Sequence, residues 1–188
     1  MTQPRAGFLG AFLWAASMLL AQAAAAGTIE SAYTPLDLDK CETVAAPEAP
    51  EDGAVFRCKG LHGMDVRVAE GDLRMFVSYG PNAEQQAAAS QTIPVFNTIG
   101  KTLEWRLDDG APFATILRYR WDSDNGEGST LVVTKIGATD ACHVAYVQAA
   151  GNAKANALAR EIADGQARGF SCGRDKPRTY GADGKQTD

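Results

Sequence analysis

The sequence predicts an α+β fold that is mostly β: one domain with an antiparallel sheet of about seven or eight strands and a C-terminal helix packed on it. Three observations carry this. Short β-prone runs recur between turn signals from Cys41 to Gln148, one amphipathic stretch follows them, and the cysteines number four.

Residues 1–26 stand outside the domain. Arg5 precedes an uncharged apolar run, Phe8 to Leu20, which passes into Ala21-Gln22-Ala23-Ala24-Ala25-Ala26-Gly27. This is the pattern of an export signal with overlapping A-x-A cleavage sites. A membrane anchor of that length would call for a stop-transfer cluster of Lys or Arg, and none follows. A lipoprotein is disfavoured because the first cysteine is Cys41. The expectation is a cleaved, periplasmic or secreted protein without a stable membrane anchor. Cytosolic cofactors such as ATP and NAD then drop out, and the sequence calls for no cofactor.

Removing the signal leaves 162 of 188 residues, enough for one core, and takes the formal charge from -5 to -6. Mild acidity argues against nucleic acid and anionic membranes, which need clustered cations. It suits a cationic partner, although solubility asks for a similar charge.

Strands are expected at 41–46, 55–59, 64–69 and 73–79, then at 102–107, 113–121, 129–136 and 142–148. Glu70-Gly71-Asp72, Asp108-Asp109-Gly110, residues 122–128 and residues 137–140 punctuate them. Between the two blocks, Asn82 with Gln85 three residues on predicts a capped short helix to about Ser90. Pro94 and Gly100 then break the chain. The stretch from 81 to 100 fits either a lid or a connector. After Asn152, the positions Ala155, Leu158, Ala159, Ile162 and Ala163 recur at helical spacing, a narrow alanine-rich stripe suited to close packing on a sheet. The domain is expected to span 27–172, with 173–188 as a solvated, disordered tail.

Cys41, Cys58, Cys142 and Cys172 contain no C-x-x-C pair, and an oxidising compartment favours disulfides. The pairings local in sequence are 41 with 58 and 142 with 172. Each is worth about 3 kcal/mol in loop-closure entropy. Zinc would need the paired short spacings that are missing here, so no metal is expected.

Period-2 alternation assigns the sheet faces. Leu103, Trp105 and Leu107 share one face with Phe113, Thr115, Leu117, Tyr119 and Trp121 on the neighbouring strand. The opposite face gathers Glu104, Arg106, Arg118 and Arg120, a charged patch expected on the exposed side. With the acidic loop Asp122, Asp124 and Glu127 it forms the candidate binding surface. The competing view is a solvated face with cross-strand pairs such as Glu104 with Arg118, each worth a few tenths of a kcal/mol.

No catalytic residue can be assigned. G-x-S-x-G, H-E-x-x-H and phosphate-loop motifs are missing, and oxidised cysteines supply no thiolate. His62, between glycines in Gly60-Leu-His-Gly63, fits a turn, and His143 fits a hydrogen-bonded strand position. Residues 122–128 resemble a calcium loop, but Gly126 and Glu127 fall where positions five and six need an oxygen ligand and glycine, and Val133 stands at position twelve. A polar hairpin turn accounts for the same residues.

The runs Ser31-Ala-Tyr-Thr-Pro-Leu-Asp-Leu-Asp-Lys-Cys41, Glu70-Gly-Asp-Leu-Arg74, Thr102-Leu-Glu-Trp-Arg-Leu107 and Cys142-His-Val-Ala-Tyr-Val147 resemble an uncharacterised family of small exported bacterial proteins. The resemblance covers most of the mature chain and implies export and a compact domain, with no activity and no functional residue. In size, acidity and disulfide usage the chain is also similar to periplasmic lysozyme inhibitors, without their short Ser/Gly-rich inhibitory loop. The leading expectation is a noncatalytic binding or inhibitor-like module with an envelope protein or polymer as partner. The alternatives are an envelope-polymer hydrolase using His62 or His143 with a carboxylate, and a structural envelope protein.

Overall fold

Three layers stack in the computed structural model, which describes residues 27–49, 52–123 and 126–187. The expected signal segment 1–26 and the candidate residue Asp124 lie outside the described residues. The outer layer is a four-stranded antiparallel meander of β2 (Glu42–Ala45), β3 (Val55–Lys59), β4 (Asp65–Gly71) and β5 (Arg74–Tyr79). The middle layer is a seven-stranded sheet. Its order is β1 (Ile29–Pro35), β6 (Asn97–Asp108), β7 (Ala111–Ser123), β8 (Gly126–Ile136), β9 (Ala141–Gln148), β10 (Arg178–Tyr180) and β11 (Gln186–Thr187). All its pairings are antiparallel except β9 with β10. The third layer is α1 (Ala155–Ile162), which widens into a π-helical turn over Ala163–Ala167.

Alternation in the sequence builds the interface between the two sheets. Val66, Val68, Val77 and Tyr79 of the meander meet Leu103, Trp105, Leu107, Leu117, Tyr119 and Val132 of the large sheet in one buried cluster. Trp105 is fully buried, and Tyr79 meets its ring edge-on with centroids 5.9 Å apart, a geometry worth about 1 kcal/mol beyond area burial. On the other face of the large sheet, Ala114, Ile116, Leu131, Val133, Ala145 and Val147 pack against Ala155, Ala159, Ile162, Ala163 and Ala167. The small alanine side chains let the helix approach closely, as the narrow stripe predicts.

Both expected disulfides form. Cys41 joins Cys58 across β2 and β3, and Cys142 at the start of β9 joins Cys172 beyond the helix. Four closed half-cystines with no free thiol mark a protein of an oxidising compartment. No helix among the described residues is long and apolar enough to cross a membrane.

Four readings need correction. The tail is ordered in part, because β10 adds to β9 in parallel and β11 returns on it. Tyr180 supplies the apolar anchor by packing on the helix-side core, and one large residue in a three-residue strand leaves little periodic signal. β1 was not anticipated either, since its alternation is blurred by a part-buried Ser31. Gly100 interrupts no strand. It sits in a bulge between Ile99 and Leu103, where a Cβ would press on the Arg118 backbone oxygen at 3.3 Å. The expected capped helix is instead two 3-10 turns, Ala83–Gln85 and Ala87–Ser90, with Asn82 in the left-handed region and capping nothing with its side chain.

The segment 82–97 is a connector sewn into the fold. Gln86 brackets the backbone of Tyr79, accepting from its N–H at 3.2 Å and donating to its carbonyl at 2.6 Å. Asn97 accepts from the Met75 N–H at 3.0 Å, and Thr92 donates to the Met75 carbonyl at 2.7 Å. These side chains close the free edge of β5, the usual point of attack for edge-to-edge association.

Candidate functional site

The charged residues expected on an open sheet face divide into two groups. Glu104 and Arg106 are buried under the helix. Arg106 makes a two-pronged pair with Asp164 at 2.8 and 2.7 Å and also donates to the Ser31 hydroxyl. Ser31 in turn donates to Glu104 at 2.6 Å, and Arg160 grips the same carboxylate at 2.6 and 3.2 Å while reaching the Tyr33 hydroxyl at 3.1 Å. Two acids and two bases cancel, so this network fastens helix to sheet and offers no charge to a ligand. Arg118 is also committed, donating to Ser129 at 3.0 Å and Asn156 at 3.3 Å. Burial, with the Arg120 charge beside it, holds its guanidinium below the ordinary value. The expected partner of Glu104, Arg118, is thus replaced by Arg160. Sequence alternation placed these groups on one face correctly, but it carried no sign that the helix would cover that face.

Arg120 and Asp122 lie beyond the helix, where β7 runs out toward its hairpin. They line a cleft of about 440 Å³ together with Glu70, Leu73, Met75, Phe96, Asn97, Thr98, Trp121, Glu127 and Gly128. Its lining combines apolar side chains with three carboxylates and one guanidinium. Asp122 and Glu127 are direct cross-strand partners, and like charges set opposite each other are destabilising. No side-chain ion pair or hydrogen bond joins Asp122, Glu127, Glu70 or Arg120 to another described residue.

Two large apolar side chains stand out into this cleft. Leu73 is 62% exposed and Phe96 is 56% exposed. Leu73 follows Asp72 in the two-residue turn between β4 and β5, and both have positive φ, 51° and 56°. That turn type favours Asn-Gly or Asp-Gly. A leucine there accepts backbone strain of about 1 kcal/mol and gains no burial. Asn97 holds the two elements in register, since its N–H donates to the Leu73 carbonyl at 3.0 Å. The sequence reading named Arg120, Asp122 and Glu127 and missed Leu73 and Phe96. An apolar residue in a hairpin turn was the available signal.

The Trp121 indole partitions the surface. It donates to the Thr130 hydroxyl at 3.2 Å and also lines a second cleft of about 420 Å³, bounded by residues 92–95.

Neither histidine meets a carboxylate. His143 is buried, its backbone N–H donates to Gln91 at 2.8 Å, and its ring Nδ1 lies 3.0 Å from the Tyr146 hydroxyl. Burial pushes its imidazole down to about 3, so it is neutral and sealed from substrate. His62 sits exposed in a turn at φ 53°, and the nearby Asp65 is engaged by Lys59 at 2.5 Å. No group of three His, Cys, Asp or Glu suited to a metal ion occurs among the described residues.

Comparison of the chain with protein-family models, curated proteins and solved structures finds no match.

Proposed function

We propose that this protein is an exported, periplasmic or secreted, noncatalytic binding module that recognises a cationic, partly apolar segment of an envelope protein through the Leu73–Phe96–Trp121 cleft. The observation that carries the reading is that exposed Leu73, held in the left-handed region, and exposed Phe96 line one cleft with the carboxylates of Glu70, Asp122 and Glu127. An apolar anchor ringed by unpaired like charges is stabilised by a partner that buries the first and neutralises the second. Arg120 adds one site for a carboxylate or backbone carbonyl and so sets orientation. The disulfides fit the same setting, because export exposes the chain to oxidation.

The test is calorimetric titration of the purified protein with a Lys- and Leu-rich amphipathic peptide and with its Glu-for-Lys counterpart. The cationic peptide is expected to bind, more weakly as salt rises, and the anionic one to fail. Leu73→Ser with Phe96→Ser should remove binding without unfolding the protein. Equal affinity for both peptides, or binding that survives the double substitution, overturns the reading.

A further inference from the structure

The second cleft differs from the acidic one in chemistry. It lies over one end of the large sheet, between residues 92–95 and the C-terminal hairpin formed by β10 and β11, and its volume of about 420 Å³ falls in the range of small-ligand sites. Its lining is drawn from residues 92–95, 179–181 and 187 together with Trp121, Thr130, Tyr146 and Gln148. None of these carries a charge at neutral pH, although 22% of the chain is charged. A charged ligand placed here would lose its hydration with no countercharge to replace it.

The polar groups divide into committed and free. Thr92 donates to the Met75 carbonyl, and Thr130 accepts from Trp121. Tyr146 pairs its hydroxyl with His143. The side chains of Gln148, Thr179 and Thr187 make no hydrogen bond to any described residue, whereas the Tyr180 ring packs on the helix-side core. Each of those three free groups can donate and accept at once. Two aromatic rings, those of Trp121 and Tyr146, share the lining with them.

Neutral groups of double capacity beside aromatic faces match one ligand chemistry. A sugar ring presents C–H faces to an aromatic and hydroxyls, each donor and acceptor, around its edge. A lipid chain would leave the three free polar groups unpaired, at a cost in desolvation. The wall is also pre-formed, which lowers the entropy lost on binding. β10 is hydrogen-bonded to β9, the Cys142–Cys172 bridge ties the chain entering β10 to β9, and the hairpin is closed by Gly181 N–H to Lys185 carbonyl at 2.9 Å.

We infer that the cleft between residues 92–95 and the β10–β11 hairpin is a binding site for a neutral saccharide, separate from the acidic cleft and sharing only Trp121 with it.

The experiment is titration of the purified protein, followed by calorimetry and by amide NMR shifts, with hexamers of β1,4-linked glucose and of β1,4-linked N-acetylglucosamine. An oligogalacturonate of equal length and an uncharged Ser- and Gly-containing peptide serve as comparisons. At least one neutral hexamer should saturate with Kd below about 1 mM, unchanged as salt is raised, and shift Tyr180 and Gln148. Gln148→Ala and Thr179→Val, both at exposed positions, should each weaken it by about tenfold, the worth of a lost ligand hydrogen bond. The combined change Glu70→Gln, Asp122→Asn and Glu127→Gln should leave saccharide affinity as it was and abolish cationic-peptide binding. The inference is overturned if no neutral hexamer saturates by about 10 mM, if Gln148→Ala and Thr179→Val both bind normally, or if the oligogalacturonate or peptide binds better. It is overturned equally if the acidic-cleft substitutions remove saccharide binding, since the two sites would then be one.

Discussion

Arg106 on β6 and Asp164 in the π-helical turn form a two-pronged ion pair at 2.7 and 2.8 Å, with the Arg106 side chain 8% exposed. Removing one member of such a pair strands the other without its countercharge, and here Glu104 would lose part of its surroundings as well. Arg106→Ala is therefore expected to cost about 3–5 kcal/mol. Asp164, more open to water, should cost less when changed to Asn. Urea denaturation at neutral pH reads both, and a loss below about 1 kcal/mol for Arg106→Ala would mean that the network behaves as surface pairs do.

Leu73 separates stability from recognition. Its left-handed backbone conformation costs a leucine about 1 kcal/mol and costs glycine almost nothing. Leu73→Gly should thus raise the unfolding free energy by about that amount, partly offset by the greater freedom glycine gives the unfolded chain. The same change should weaken cationic-peptide binding by removing the apolar anchor. A variant that is less stable than wild type would show that Leu73 is held for packing.

The buried His143 makes the fold acid-sensitive in a definite window. Its imidazole is pushed down to about 3 by burial, while in the unfolded chain it titrates near 6.5. Between those values the unfolded state binds a proton that the folded state refuses. Stability fully present above pH 6.5 is therefore lost as pH falls, and the loss ends near pH 3, where the folded imidazole is also protonated. The slope approaches ~1.4 kcal/mol per pH unit for one proton. His143→Gln removes the titration, so the difference between wild type and variant should change by about that slope from pH 6 to 5. Parallel curves would show that His143 titrates normally in the fold.

Eight of the eleven strands among the described residues were legible as short β-prone runs between turn signals, and the longer ones also alternate. Val66 and Val68 on β4, or Leu103 and Trp105 on β6, announce a buried face by period alone. The covering of the opposite face was not legible. Glu104 and Arg106 read as solvent-facing since charge in a strand usually is, and only the placement of Asp164 and Arg160 on the helix satisfies them. Long-range pairing across more than fifty residues leaves no local pattern. Both cleft walls suffered the same way, because residues 92–97 and 178–187 meet Trp121 and Tyr146 only after the sheets close.

The disulfides carry different loads. Cys142–Cys172 encloses the helix and controls where β10 begins. Replacing both cysteines by Ser should cost about 3 kcal/mol and loosen the wall of the second cleft, seen as faster hydrogen exchange at Thr179 and Tyr180. Cys41–Cys58 lies at the far edge of the meander, so its loss should lower stability by a similar amount and leave that exchange unchanged. Equal protection at Thr179 in the two variants would detach the bridge from the cleft.

Gly128 tests whether Trp121 governs both clefts. The two residues are cross-strand partners, and a Cβ at position 128 would overlap the indole at Cζ2 and Cη2. Gly128→Ala must therefore displace the ring, breaking or bending its hydrogen bond to Thr130, at a cost of about 1–3 kcal/mol for overpacking. Because the ring is the partition, cationic-peptide and neutral-saccharide binding should weaken together, whereas Leu73→Gly affects the first alone and Gln148→Ala the second alone. Near-UV circular dichroism reports the displacement directly, since the only other tryptophan among the described residues is the buried Trp105. An altered tryptophan signal with both affinities intact would show that the indole is a spectator between two independently built sites.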